Sequence, residues 1–181
     1  MTNRVARFAA IFLALVVLAA PGRAQFGGGQ VASPPAKADC KFSDGKTIHV
    51  DYSSPRMRGR KIFGDLVPYG EVWRAGANEA TTFVLGAAVI VGGKEVPAGS
   101  YTLFAIPNAD HWTLIISKQT GEWGIPYPGE QDDLARVPMK VSKLASPAEN
   151  FTIAFDQDGA SCTMRLEWET TRASVQIAEK K

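Results

Sequence analysis

Histidine is nearly missing from this chain: His49 and His111 are its only two. A Ser–His–Asp triad or a histidine-built metal centre would have to use one of them. The chain also lacks a Gly-x-Ser-x-Gly elbow, a His-Glu-x-x-His motif, a P-loop and a dinucleotide-binding glycine fingerprint. The common esterase, metalloprotease and nucleotide-binding signatures are therefore excluded. Long apolar runs are short supply too. Phe8–Ala20 is uncharged but only 13 residues long, below the roughly 18–20 that a membrane-spanning helix needs. It follows Arg4 and Arg7 and precedes Pro21-Gly22-Arg23-Ala24, the order of a secretory signal with cleavage expected after Ala24. No cysteine follows the run, which disfavours a lipid anchor.

An excess of positive charge is also lacking. Cleavage removes Arg4, Arg7 and Arg23 and no acid, so 20 basic against 18 acidic residues becomes 17 against 18. A near-neutral chain does not suit a nucleic-acid binder. The expected location is periplasmic or secreted, with no membrane span after cleavage. The remaining 157 of 181 residues suit one domain with an adequate core.

Two cysteines, Cys40 and Cys162, are present. In an exported chain an even count points to a disulfide. Cys40 lies in phase with Phe42, and Cys162 with Met164, Leu166 and Trp168, so both face the core. Closing a loop of about 122 residues gives roughly 4–5 kcal/mol in the chain-entropy model.

What is abundant is alternation. After a Gly- and Pro-rich lead-in over 25–38, short runs alternate in polarity: Ile48, Val50 and Tyr52; Val137, Met139 and Val141; Phe151, Ile153 and Phe155; Met164, Leu166 and Trp168. Turn pairs such as Asp44-Gly45, Gly92-Gly93 and Asp158-Gly159 separate them. The pattern predicts an all-β, single-domain antiparallel β-sandwich over 39–178. It would have about nine or ten strands, in two sheets each with one wet face. One or two short helical turns are expected, at the helix-like spacing of Ile62, Phe63, Leu66 and Val67.

Two stretches break the alternation, Ser53–Thr82 and Lys118–Asp133. Irregular segments of this length are commonly functional. The first carries Arg56, Arg58 and Arg60 at alternate positions, so an extended backbone would project all three to one side. Guanidinium forks recognise carboxylate or phosphate. The other reading makes these arginines internal ties to Asp51, Asp65, Glu71 or Glu79. Trp123 and Tyr127 on the second stretch offer stacking surfaces, while Trp73, Trp112 and Trp168 read as anchors or packing. His49 and Asp51 share a strand face about 7 Å apart and read first as a solvated pair. The other reading makes them two ligands of a metal that needs a third from elsewhere. Asp51, Glu71, Glu79 and Glu122 are the carboxylates available for glycoside hydrolysis.

Several motifs occur in order: Ser33-Pro34-Pro35-Ala36, Asp51-Tyr52-Ser53-Ser54-Pro55-Arg56, Gly59-Arg60-Lys61-Ile62-Phe63-Gly64, Leu66-Val67-Pro68-Tyr69-Gly70, Val72-Trp73-Arg74-Ala75-Gly76-Ala77-Asn78-Glu79-Ala80-Thr81 and Pro97-Ala98-Gly99-Ser100-Tyr101-Thr102-Leu103. The set resembles the bacterial exported family of domain of unknown function 2911, over nearly all of the mature chain. The resemblance implies an envelope or secreted protein with one β-rich domain, and supplies no activity or catalytic residue.

The expectation is a non-catalytic ligand-binding or interaction module. Its site would comprise Arg56, Arg60 and Arg74 as anion donors, Asn78 and Glu79 as orienting groups, and Trp123 or Tyr127 as an apolar wall. The ligand would be a small molecule, glycan or protein segment of anionic or carbohydrate-like character. No metal, cofactor or catalytic residue is assigned. The alternatives are a carboxylate-dependent hydrolase of envelope or extracellular glycans and a purely structural envelope protein.

Overall fold

The computed structural model describes residues 32–180. The expected signal over 1–24 and the first half of the lead-in lie outside the described residues. Nine strands follow: β1 (Pro35–Lys41), β2 (Thr47–Ser53), β3 (Thr81–Leu85), β4 (Val89–Val91), β5 (Lys94–Val96), β6 (Gly99–Pro107), β7 (His111–Ser117), β8 (Asp133–Asp158) and β9 (Ser161–Glu179). β1 starts four residues before the expected Asp39, so Pro35–Ala38 belong to the sheet and not to the lead-in.

The all-β antiparallel expectation holds, with the strands in one sheet ordered β1-β2-β3-β6-β7-β8-β9-β4-β5. The expectation of two separate sheets needs correction. Runs that read as four strands, near 136–142, 151–156, 162–169 and 175–177, are the two halves of β8 and of β9. Both strands pass through a bend. β8 pairs Lys143 with Thr171 and next Ala148 with Glu169, then Thr152 with Glu167, so β8 carries extra residues across two bulges. Glu169 opposite them adopts a positive φ of 53°. Bulges of this kind bend a strand and increase its twist. The distal part of the β8–β9 hairpin thereby lies against β1 and β2: the Tyr52 hydroxyl donates to the Ile153 carbonyl at 3.4 Å, and Ile153 N donates back to it at 3.1 Å.

Alternation in the sequence becomes burial in the fold. Ile48, Val50, Phe83, Leu103, Leu114, Val137, Ile153 and Leu166 are buried in one cluster. The Cys40–Cys162 disulfide crosses that core, joining β1 to β9 with 6.5 Å between Cα atoms across a sequence separation of 122. The Gly92-Gly93 hairpin has φ of 50° and 87°, the positive pair that a two-residue turn between β4 and β5 requires. The expected helical turn at Ile62–Val67 is absent. Asp65 N and Val67 N both donate to the Ile62 carbonyl, and Gly64 at φ 82° breaks the helical path. The short helical turn of the described residues is a 3-10 turn at Glu130–Asp132.

The outer face of β1–β2 carries a polar ladder. The register sets Asp39 opposite His49 and Lys37 opposite Asp51. His49 Nδ1 bonds Asp39, and His49 Nε2 lies 2.8 Å from Asp51, whose other oxygen is 2.8 Å from Lys37 Nζ. The Asp39 hydrogen bond, assisted by that to Asp51, raises the His49 pKa above its ordinary value. Lys37, then His49, lowers that of Asp51. Both ring nitrogens of His49 are thus occupied by carboxylates. Among the described residues no group of three or more His, Cys, Asp or Glu is arranged to hold a metal ion.

Two outcomes follow from this architecture. Replacing both Cys40 and Cys162 with Ala should lower unfolding stability by about 2–4 kcal/mol, read from urea unfolding of both proteins without reductant. The raised His49 pKa contributes stability that is fully present below its unfolded value of about 6.5 and is lost as pH rises through the folded value. His49→Asn should therefore show a smaller drop in melting temperature than the parent as pH is raised from below 6.5 into the alkaline range.

Candidate functional site

The long stretch after β2 is stitched to the sheet at two places. Its return limb docks on β6 where β3 has run out. Trp73 N donates to the Ala105 carbonyl and Ala105 N to the Trp73 carbonyl, both at 2.8 Å, and Gly70 N reaches the Pro107 carbonyl at 2.9 Å. Its outgoing limb docks on the β8 bulge. Met57 N donates to the Glu149 carbonyl at 2.7 Å and Phe151 N to the Pro55 carbonyl at 2.9 Å, with Arg56 opposite Asn150. The bulge frees the Glu149–Phe151 backbone from β9, and the stretch uses the freed groups.

Aromatic packing then fixes the stretch over the core. The Trp73 ring stacks on Trp168 with centroids 6.1 Å apart and meets Phe151 edge-on at 4.9 Å. Phe63 meets Trp112 edge-on at 4.8 Å. Such pairs add to the area they bury. Trp73 Nε1 is satisfied within its own loop by the Gly76 carbonyl at 3.1 Å. The reading of Trp73 as an anchor is correct, though the residue is only half-buried and also lines a groove.

That groove, about 390 Å³, is lined chiefly by the first irregular stretch, with Ile125 from the second. Arg56, Arg58, Arg60 and Arg74 line it, and no carboxylate does. Among the described residues none of these four forms an ion pair. The internal ties to Asp51, Asp65, Glu71 or Glu79 are therefore not made. The arginines brace backbone instead. Arg60 donates to the Met57 and Arg56 carbonyls at 3.0 and 2.7 Å. Arg74 Nη1 donates to the Asn78 and Trp123 carbonyls at 2.5 and 3.1 Å. Arg56 makes one side-chain bond, to Ser54 Oγ at 3.1 Å. Five donors per guanidinium leave most of them unused. Partial burial lowers the Arg74 pKa from its ordinary value.

The arginines come together by a different route from the one expected. The backbone is a turn and not an extended strand: Arg58 and Gly59 have φ of 50° and 70°, and Arg60 N donates to the Met57 carbonyl. Side chains two apart then converge by folding round the turn.

The other expected site residues scatter. Asn78 is a loop brace, its Nδ2 donating to the Ser33 carbonyl and to Ser53 Oγ at 3.1 and 3.2 Å. Trp123 is exposed and joins the groove only through Arg74, whose guanidinium carbon sits 5.9 Å from the ring centroid. Tyr127 belongs elsewhere: its hydroxyl donates to Asp133 at 2.6 Å and accepts from Arg136 at 3.2 Å, and burial with the Asp133 bond pushes its pKa up to about 12. Glu79 faces away, lining one hollow of about 440 Å³ with Asp51 and another of about 470 Å³ with Glu122 and Trp123. Asp51 is tied up by Lys37 and His49. Glu122 differs from these carboxylates, with Oε1 buried and unpartnered and its pKa raised by burial and by nearby Asp132.

Leu66, Ile125 and Trp168 also line the groove. Leu66 read as part of an apolar helical turn and Ile125 as an isolated loop residue, so neither carried a binding signal in the sequence. Trp168 alternates as a core residue and reaches the groove only because the sheet bends. The two irregular stretches are joined directly: Ala80 N donates to the Glu122 carbonyl at 3.2 Å.

Comparison with known families gives one result of weight. The family model described as "Protein of unknown function (DUF2911)" matches residues 33–177, which is most of the chain, and the chain belongs to that family. No curated protein matches it, and no solved structure does.

Proposed function

We propose that this member of the DUF2911 family is an exported, non-catalytic binding protein whose arginine groove takes an anionic ligand. One observation carries the reading: four guanidinium groups line a groove of about 390 Å³ with no carboxylate among its walls. Gathering like charges is unfavourable unless something compensates them, and forks with spare donors match carboxylate or phosphate oxygens. The volume falls in the range of small-molecule sites, and rigid strands hold the loops that form it. Export to the periplasm or beyond is supported by the signal-like first 24 residues and by a disulfide that oxidising compartments favour. Among the described residues no helix is long and apolar enough to cross a membrane.

The double substitution Arg56→Gln with Arg58→Gln removes two charges while sparing the braces made by Arg60 and Arg74. In calorimetric titrations with uronic acids, sugar phosphates and acidic peptides, the parent should bind at least one class, more weakly at high salt. The variant should lose at least about tenfold in affinity, with a melting temperature close to the parent's. Equal binding by the two proteins would remove the groove as the site.

A second reading rests on Glu122. A half-buried carboxyl with one oxygen shut from solvent and a raised pKa, sharing a hollow with Glu79 and exposed Trp123, has the components of a proton donor beside a sugar platform. A carboxylate-dependent glycan hydrolase would release reducing ends from an oligosaccharide panel and lose that activity in Glu122→Gln. An inactive parent across the panel ends this reading.

A further inference from the structure

The arginine groove does not end at its charged walls. A second hollow of about 180 Å³ shares Leu66, Val67, Trp73, Arg74 and Ile125 with it and continues onto Pro68 and Val72. The two are one depression with two chemistries. Arg56, Arg58 and Arg60 line only the first part, and the second is chiefly apolar, with Glu71 its one carboxylate. Leu66 is 45% exposed and Ile125 63%. Single exposed apolar residues on a surface call for no explanation. These two come from separate irregular stretches and line the same basic groove, where a bare inorganic anion would leave both in water.

We infer that the ligand is an amphipathic anion: a carboxylate or phosphate head held by Arg56, Arg58 and Arg60, with an unbranched apolar tail laid along Leu66, Val67 and Ile125. The inference rests on the anionic reading of the groove and adds the chemistry of the ligand's other end. Charge complementarity fixes the head, because the charged part has no acidic wall. Apolar burial fixes the tail, since each methylene taken from water strengthens binding by about two- to fourfold. Arg74 lines both parts and marks the junction. Its own tie to the Asn78 and Trp123 carbonyls keeps its stem in place between them.

The test uses the full chain and five probes in calorimetric titration: inorganic phosphate, acetate, octyl phosphate, octanoate and octanol. The two octyl anions should bind at least about thirtyfold more tightly than phosphate and acetate, and octanol should bind far more weakly than either. In Leu66→Ser with Ile125→Ser the ratio of octyl phosphate to phosphate affinity should fall towards one. Arg56→Gln with Arg58→Gln should weaken both octyl anions by at least about tenfold. Phosphate and octyl phosphate binding alike would overturn the amphipathic assignment and leave the anion site standing. Octanol binding as well as octanoate, with no effect of the arginine substitutions, would overturn the anion site and with it this inference. Binding of none of the five would overturn both.

Discussion

Trp73 is the residue on which the site depends, because it is held in two ways at once. Its backbone exchanges two hydrogen bonds with Ala105, taking the place on β6 that β3 vacates. Its ring enters the cluster formed by Trp168, Phe151, Trp112 and Phe63. A loop of nearly thirty residues pays a large ordering entropy, and these two attachments offset it near the loop's return. The outgoing limb is offset separately by the β8 bulge through Met57, Pro55, Glu149 and Phe151. Between the two attachments the backbone has little freedom, and the arginines it carries are presented from a fixed frame.

Those arginines divide their donors between structure and surface. Arg60 and Arg74 cap exposed loop carbonyls, while Arg56 and Arg58 are less committed. A residue can brace a loop and keep spare donors because guanidinium has five N–H groups in one plane. The opposition between structural ties and ligand contacts, natural when reading charge along a sequence, dissolves once the ties are seen to be to carbonyls and not to carboxylates. Ties to carbonyls leave the guanidinium groups without an ion-pair partner, although the Glu149 carboxylate accepts from Arg58 N at 2.8 Å beside them.

Much of the fold was legible. Alternation placed Ile48, Val50, Met164 and Leu166 in the core, and the phase of Cys40 and Cys162 placed both sulfurs there. Alternation has no term for bending, so the two halves of β8 and β9 read as separate strands and the single sheet read as two. The site was half legible. Arg56, Arg60 and Arg74 do share a groove, while Asn78 supports it from behind, Glu79 faces other hollows and Tyr127 pairs with Asp133 and Arg136. Charge and aromaticity can be counted along a chain, but the direction a loop side chain takes depends on turns such as Arg58–Gly59.

The sequence alone determined the strand content, the buried faces, the pairing of the two cysteines and the two stretches where a site was to be sought. All of these depend on local period, composition and parity. Tertiary structure alone decided that the sheet folds over itself, that the bulge in β8 receives the long stretch, and that four arginines meet two exposed apolar residues in one groove. Each of these joins groups far apart in sequence, and the energy that brings them together comes from packing against partners that no local pattern names.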